Sequence, residues 1–108
     1  MLIVNPPIHP GKYLREEFMV PLGLSAGKLA KALGVPRTRI ERLVREQTGL
    51  TADTAARLGR YFRTSADFWM NIRASYDLSC AALDDQLNAA LESITPLERP
   101  DLPEDEAA

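Results

Sequence analysis

One cysteine, Cys80, and one histidine, His9, are all that this 108-residue chain offers to thiol or imidazole chemistry. A lone cysteine forms no internal disulfide, and no Cys/His cluster has the spacing of a structural zinc site. His9 has no nucleophile or ligand partner near it in sequence and reads as a packing or capping residue, while Cys80 reads as a small buried hydrophobe. Glycine-rich phosphate loops are missing too. The acidic pairs Glu16-Glu17 and Asp84-Asp85 are adjacent in sequence, so on a helix they point in different directions and make a poor acid/base dyad. Phe68-Trp69 reads as core rather than as a cofactor box. The opening MLIVNPPIHP has no basic leader, and its apolar run is too short for a signal peptide or a membrane span. These absences lead to the expectation of a cytoplasmic protein that is not an enzyme and uses neither metal nor cofactor.

What is present begins with a length that suits one domain and an apolar fraction of 45%, enough to bury a core. The formal net charge of −2 argues at first against a polyanionic partner. Its distribution argues otherwise. Residues 28–63 carry Lys28, Lys31, Arg37, Arg39, Arg42, Arg45, Arg57, Arg60 and Arg63 against only Glu41, Glu46 and Asp53, a net of +6. Residues 64–108 carry ten acids against Arg73 and Arg99, a net of −8. A polyanion feels the local potential, screened over roughly 8 Å at physiological salt, so the middle third suits phosphate and the last third does not.

Along the chain the pattern is helical throughout, and no stretch alternates with period two over the length of a strand. Pro6, Pro7 and Pro10 keep residues 1–9 extended. Tyr13, Leu14 and Phe18 then recur at helical spacing until Pro21-Leu22-Gly23. Ser25 suits the cap of a second helix with Leu29, Ala30 and Leu33 inward, stopped by Gly34. Pro36 suits the first turn of a third helix running to about Arg45, which Thr48-Gly49 breaks. Thr51 caps a fourth, with Asp53 near the positive end of its dipole and Ala55, Leu58, Tyr61 and Phe62 as its buried stripe. Ser65 caps a fifth carrying Phe68, Trp69, Ile72 and Tyr76. Leu83, Leu87, Leu91 and Ile94 continue the spacing, as an extension or a separate helix. The expected division is an extended segment 1–9, a helical domain 10–78, a C-terminal helix 79–94 and a disordered acidic tail 95–108, whose TPLERPDLPEDEAA combines three prolines with five acids.

Within this series the segment SAGKLAKALGVPRTRIERLV carries the function. A small residue at Ala30 lets two short helices approach, Gly34 supplies a turn that needs positive φ, and Ile40 and Leu43 lock the second helix across the first. That is the pattern of a helix-turn-helix. With Val35, Ile40, Leu43 and Val44 inward, Arg37, Thr38, Arg39, Arg42 and Arg45 are left outward or sideways. A recognition helix sets its N-terminal residues into the major groove, where arginine pairs with guanine O6 and N7. Arg37, Thr38, Arg39 and Arg42 are therefore the candidates for reading bases. Ser25, Lys28, Lys31, Arg45 and Thr48 are the candidates for phosphate, setting register rather than preference.

Several motifs at matching spacing then resemble one family. His9-Pro10-Gly11, LREEF (Leu14–Phe18), PLGLS (Pro21–Ser25), LAKALGVP (Leu29–Pro36), LTADTAARLGRYF (Leu50–Phe62) and TSADFWMNIRASYDL (Thr64–Leu78) resemble the HigA antitoxins, the VapI or plasmid-maintenance antidote subgroup of the Xre-type helix-turn-helix proteins. The resemblance spans about residue 5 to residue 92. It implies an all-α fold: a five-helix, phage-repressor-like domain, here with a C-terminal helical extension. It also implies a homodimer that binds a palindromic operator of double-stranded DNA in its own promoter. Its second partner would be a HigB toxin, a small RelE-like ribosome-dependent mRNA endonuclease, which it neutralises.

This chain departs from the family pattern at Lys12, often Glu, and at Ala26, often a phosphate-gripping Gln; Gly27 follows, and glycine inside a helix costs ~1 kcal/mol relative to alanine. It departs again at Arg45-Glu46-Gln47-Thr48, where a basic turn like Asn-Gly-Lys-Arg is common. The changes at Ala26 and in the turn remove phosphate contacts, so operator binding is expected either to be weaker or to rest more on Arg37, Arg39 and Arg42. Leu78, Leu83, Leu87 and Leu91 are candidates for the dimer seam, their alternative being the chain's own core. The rival readings are a solitary Xre-type repressor whose acidic C-terminus only solubilises it, and a protein-interaction module that has lost DNA binding.

Overall fold

The computed structural model describes residues 3–98 and 101 of the chain. Among these residues the structure is all helical, with no strand. The first helix, α1, runs without a break through Pro10–Leu14, a π-helical turn at Arg15–Met19 and Val20–Leu22. His9 caps it: its Nδ1 accepts from the Gly11 N–H at 2.9 Å, and Pro10 takes the first position, where a missing N–H costs nothing. The wide turn precedes Pro21, which has no N–H to give and whose ring would meet the carbonyl of Glu17 in a regular helix. Gly23, at φ 62°, ends α1.

Helix α2 (Ala26–Leu33) is capped by Ser25, whose Oγ accepts from the Lys28 N–H at 3.1 Å, and Gly34 stops it at φ 70°. Helix α3 (Arg37–Val44) differs from expectation at both ends. Pro36 is its cap residue rather than its first helical one, because its ψ of 142° is still extended. Its stop is Glu46, at φ 61°, and not Thr48-Gly49. The Glu46 N–H donates to the Leu43 carbonyl at 3.0 Å and the Gln47 N–H to that of Arg42 at 2.9 Å, the double closure usually built on glycine. Helix α4 (Ala52–Phe62) and helix α5 (Ala66–Ala82) have the expected caps, Thr51 accepting from Thr54 and Ser65 from Phe68.

The boundary drawn between residues 78 and 79 falls inside α5, since nothing from Ser79 to Ala82 breaks a helix. The break comes at Leu83-Asp84, where Asp84 Oδ1 accepts from the N–H groups of Gln86 and Leu87 at 3.0 and 3.1 Å and starts helix α6 (Asp85–Glu92). Residues 94–98 have no regular structure. The rest of the tail expected to be disordered, residues 99, 100 and 102–108, lies outside the described residues.

The core joins α1 to α5. Leu14, Leu29, Ile40, Leu50, Leu58 and Trp69 are fully enclosed, and Trp69 keeps its indole N–H satisfied on Thr64 Oγ1 at 2.9 Å. At Gly11 an added Cβ would stand 1.7 Å from the Leu43 carbonyl oxygen, so α1 crosses the end of α3 in contact with its backbone. Arg15 donates to the Val44 carbonyl at the same end, a cation where the helix dipole favours one. Two expected core residues are outside it. Tyr61 is exposed because the inward face of α4 is Thr54, Ala55, Leu58 and Gly59 with part of Phe62, and Tyr61 lies about 100° round the helix from Phe62. Cys80 is exposed because its neighbour Ser79 takes the inward position, accepting from the Val4 N–H at 2.8 Å. No helix among the described residues is long and apolar enough to cross a membrane.

Candidate nucleic-acid interface

Helices α2 and α3, joined through Gly34 and Val35, make the helix-turn-helix. The turn closes with the Val35 N–H on the Ala30 carbonyl at 3.0 Å, while Leu29, Ala30, Leu33, Ile40 and Leu43 are all buried beneath it. Burying that stripe leaves the opposite side of α3 to solvent. Arg37, Thr38, Arg39 and Arg42 are all exposed there, as are Ser25, Lys28, Lys31, Arg45 and Thr48 around it.

The fold does not gather these residues into one cluster. Thr38, Arg39, Arg42 and Thr48 share a groove of about 610 Å³ whose other walls include Pro36, Gly49, Thr51 and Asp53. Arg37 lies on the other side of α3, toward α2, where its Cδ would be 3.8 Å from a Cβ added at Gly27. It pairs with Glu41 at 3.5 Å, and Arg45 reaches the same carboxylate at 3.9 Å. Glu41 thus tethers two of the outward arginines along the helix. Ser25 spends its oxygen as the cap of α2, which leaves its O–H as a donor for an outside acceptor. Among the described residues no ion pair holds Lys28, Lys31 or Arg42, so their charge is available to an external anion.

Sequence reasoning passed over two residues of this site. Asp53 read only as an acid in the first turn of α4, and Arg57 only as one base among nine. In the structure Asp53 Oδ1 accepts from Arg39 Nη1 and from Arg57 Nε, both at 2.8 Å. The Arg57 guanidinium, then that of Arg39, holds the Asp53 carboxyl below its ordinary value of 3.8. Arg57 also donates to the carbonyl of Leu33 at 2.8 Å, with Gly34 at 3.5 Å, capping the end of α2. The i,i+4 spacing of Asp53 and Arg57 was visible in the sequence. The link to Arg39 crosses from one helix to another and left no local signal.

Comparison with known proteins agrees with this geometry. Residues 12–69 match the helix-turn-helix family. The chain is 53% identical over 92 residues to virulence-associated protein I of Dichelobacter nodosus, covering 85% of this chain and 82% of that protein. Its fold superposes on the Pseudomonas aeruginosa antitoxin HigA with higBA promoter at a TM-score of 0.78 and 46% identity, over 85% of this chain and 99% of the other. It superposes on antitoxin GraA in complex with its operator at a TM-score of 0.80 and 36% identity, over 92% of this chain and 99% of that one. By sequence and by fold, this chain belongs to the helix-turn-helix family and, within it, to the HigA-type antitoxins.

Proposed function

We propose that the protein is the antitoxin of a type II toxin–antitoxin pair, which represses its own promoter by binding operator DNA and neutralises a HigB/RelE-like mRNA endonuclease. The observation that carries the DNA-binding half is the exposed N-terminal part of α3, with Thr38, Arg39 and Arg42 around one groove, in a chain 46% identical to an antitoxin solved with its promoter. In this reading Arg37, Thr38, Arg39 and Arg42 meet base edges. Ser25 and the first-turn amides of α2, Lys28, Lys31, Arg45 and Thr48 meet phosphates.

A homodimer would place two copies of α3 in successive major grooves, about 34 Å apart, on a near-palindromic site. Leu78, Leu83, Leu87 and Leu91 form the seam in this reading. All four are at least 38% exposed in the isolated chain, which supports this reading over a role in its own core. The toxin, a basic protein, would meet the acidic last third, leaving the basic middle to the operator.

The test is co-expression with the product of the neighbouring reading frame, followed by isolation and mass determination of the complex. A stable complex whose formation relieves the partner's toxicity is the expected result. Absence of a complex, with tight binding to its own promoter in the same preparation, would instead leave a solitary repressor.

A further inference from the structure

Asp53 is an acid in the wall of a groove otherwise suited to a polyanion. It stands beside Thr38, Arg39, Arg42 and Thr48, and its side chain is 57% exposed. A carboxylate there repels every phosphate that approaches, whatever the DNA sequence. Nor does it hold the fold together to any great degree, since ion pairs this open to water add little to stability. What it does hold is an orientation. Arg39 Nη1 and Arg57 Nε both donate to its Oδ1, and Arg57 is itself fixed on the carbonyl of Leu33 at the end of α2. A continuous chain of hydrogen bonds therefore runs from the helix-turn-helix turn, through Arg57 and Asp53, to the guanidinium of Arg39. It ties α2, α4 and α3 together at their outer edge.

We propose that Asp53 is a positioning residue for sequence discrimination, which holds Arg39 so that its free N–H edge meets a base instead of the nearest phosphate. The inference rests on the reading of Arg39 as a base-contacting residue. A guanidinium has five N–H donors in a rigid plane, and the bond to Asp53 uses one of them. The rest of that plane stays free, with its tilt set by a carboxylate that is itself held in place. An untethered arginine on a flexible stem meets phosphate more easily than base, because phosphates are charged and outnumber any one guanine edge. The acid closes that route twice, by engaging one N–H on the edge of the guanidinium and by repelling phosphate from the spot.

Two effects of opposite sign follow from removing it, and they separate positioning from a plain electrostatic or helix-dipole role. The experiment uses the full chain, a duplex that the wild-type protein selects from a randomised pool, and an unrelated duplex of equal length. Affinities for both are measured at one fixed salt concentration for wild type, Asp53→Ala, the near-isosteric Asp53→Asn, Arg39→Ala and the Asp53→Ala/Arg39→Ala double variant. Asp53→Ala is expected to bind the unrelated duplex as tightly as wild type or more so, and the selected duplex about tenfold more weakly. Asp53→Asn keeps the shape of the first turn of α4, so it carries the test if Asp53→Ala fails to fold; it should lower the selected-to-unrelated ratio in the same direction. The double variant should discriminate no worse than Arg39→Ala alone, because Asp53 acts through Arg39. If Arg39→Ala loses discrimination while folded Asp53 variants keep it within twofold, the positioning role is overturned and base reading by Arg39 stands. If Arg39→Ala itself keeps the full ratio, the reading of Arg39 is wrong and the inference fails with it.

Discussion

Leucines at nearly the same helical spacing meet opposite fates at the two ends of this molecule. In α2 to α4, Leu29, Leu33, Leu43 and Leu58 are at most 6% exposed, whereas Leu83, Leu87 and Leu91 on and before α6 remain 38–52% exposed. Both stretches carry capped helices with a leucine stripe. The difference is what stands opposite. The middle helices face each other and Trp69 across one core, while among the described residues α6 packs mainly beside the end of α5. Its start rests on the Asp84 cap and on Asn88, whose Nδ2 donates to the Ala82 carbonyl at 3.0 Å. An eight-residue helix with so little to pack against is marginal in water. Periodicity therefore reports a helix and its apolar face, but not whether that face is covered by the same chain.

The sharpest way to break this comparison is to remove one side chain from each end. Trp69→Ala should cost about 3–5 kcal/mol in chemical denaturation, because it empties the middle of the core. Leu87→Ala, measured at a dilution where single protomers are studied, should change stability by less than about 0.5 kcal/mol. Equal losses would mean that α6 packs on its own chain after all.

Next in size is the effect on DNA. Arg37→Ala/Arg39→Ala should lower preference for the selected operator at least tenfold (roughly 1.4 kcal/mol or more) while leaving salt-sensitive binding to any duplex. Lys28→Ala, on the neighbouring helix, should weaken all duplexes alike and flatten the salt dependence by about one unit. A double variant that still picks out the same site would remove α3 as the reading helix.

The exposed end supplies the third outcome. Replacing Leu83, Leu87 and Leu91 by Gln should convert a micromolar dimer to monomers in sedimentation equilibrium, with the unfolding transition of the buried body kept. A wild-type chain that is monomeric at that concentration would sink the seam. The smallest effect is expected at the end of α3. Glu46→Gly should raise stability by about 0.5–1 kcal/mol, since Glu46 holds φ 61° and glycine adopts that region at no steric cost.

The helices themselves were legible because their signals are local. Ser25, Thr51 and Ser65 each precede a periodic run and each caps it, and Gly34 ends α2 where positive φ is needed. Helix α3 and its outward face were legible for the same reason, the inward positions Ile40 and Leu43 being identifiable from spacing alone. What escaped depends on tertiary contacts. Nothing near Glu46 marks it as the residue that turns the chain, and the competing Thr48-Gly49 looked better on propensity. Choosing Cys80 as buried followed its residue type, whereas the structure turns Ser79 inward to meet the Val4 amide. The bond from Arg39 to Asp53 spans 14 residues between two helices, so only the tertiary fold that sets the start of α4 across a groove from α3 brings it about.

Helix α5 has a mechanical consequence. Its 17 residues form a rod of about 25 Å, anchored near one end by Trp69 in the core and near the other by Ser79 beneath the N-terminal segment. Only Leu83 and Asp84 separate that rod from the exposed leucines of α6. If two copies meet through those leucines, the rod is a lever arm whose length and pitch set the distance between their reading helices. One residue inserted between Ala82 and Asp84 would swing the seam while leaving each reading surface intact. The operator's half-site spacing would then be written in a helix that carries none of the proposed DNA contacts.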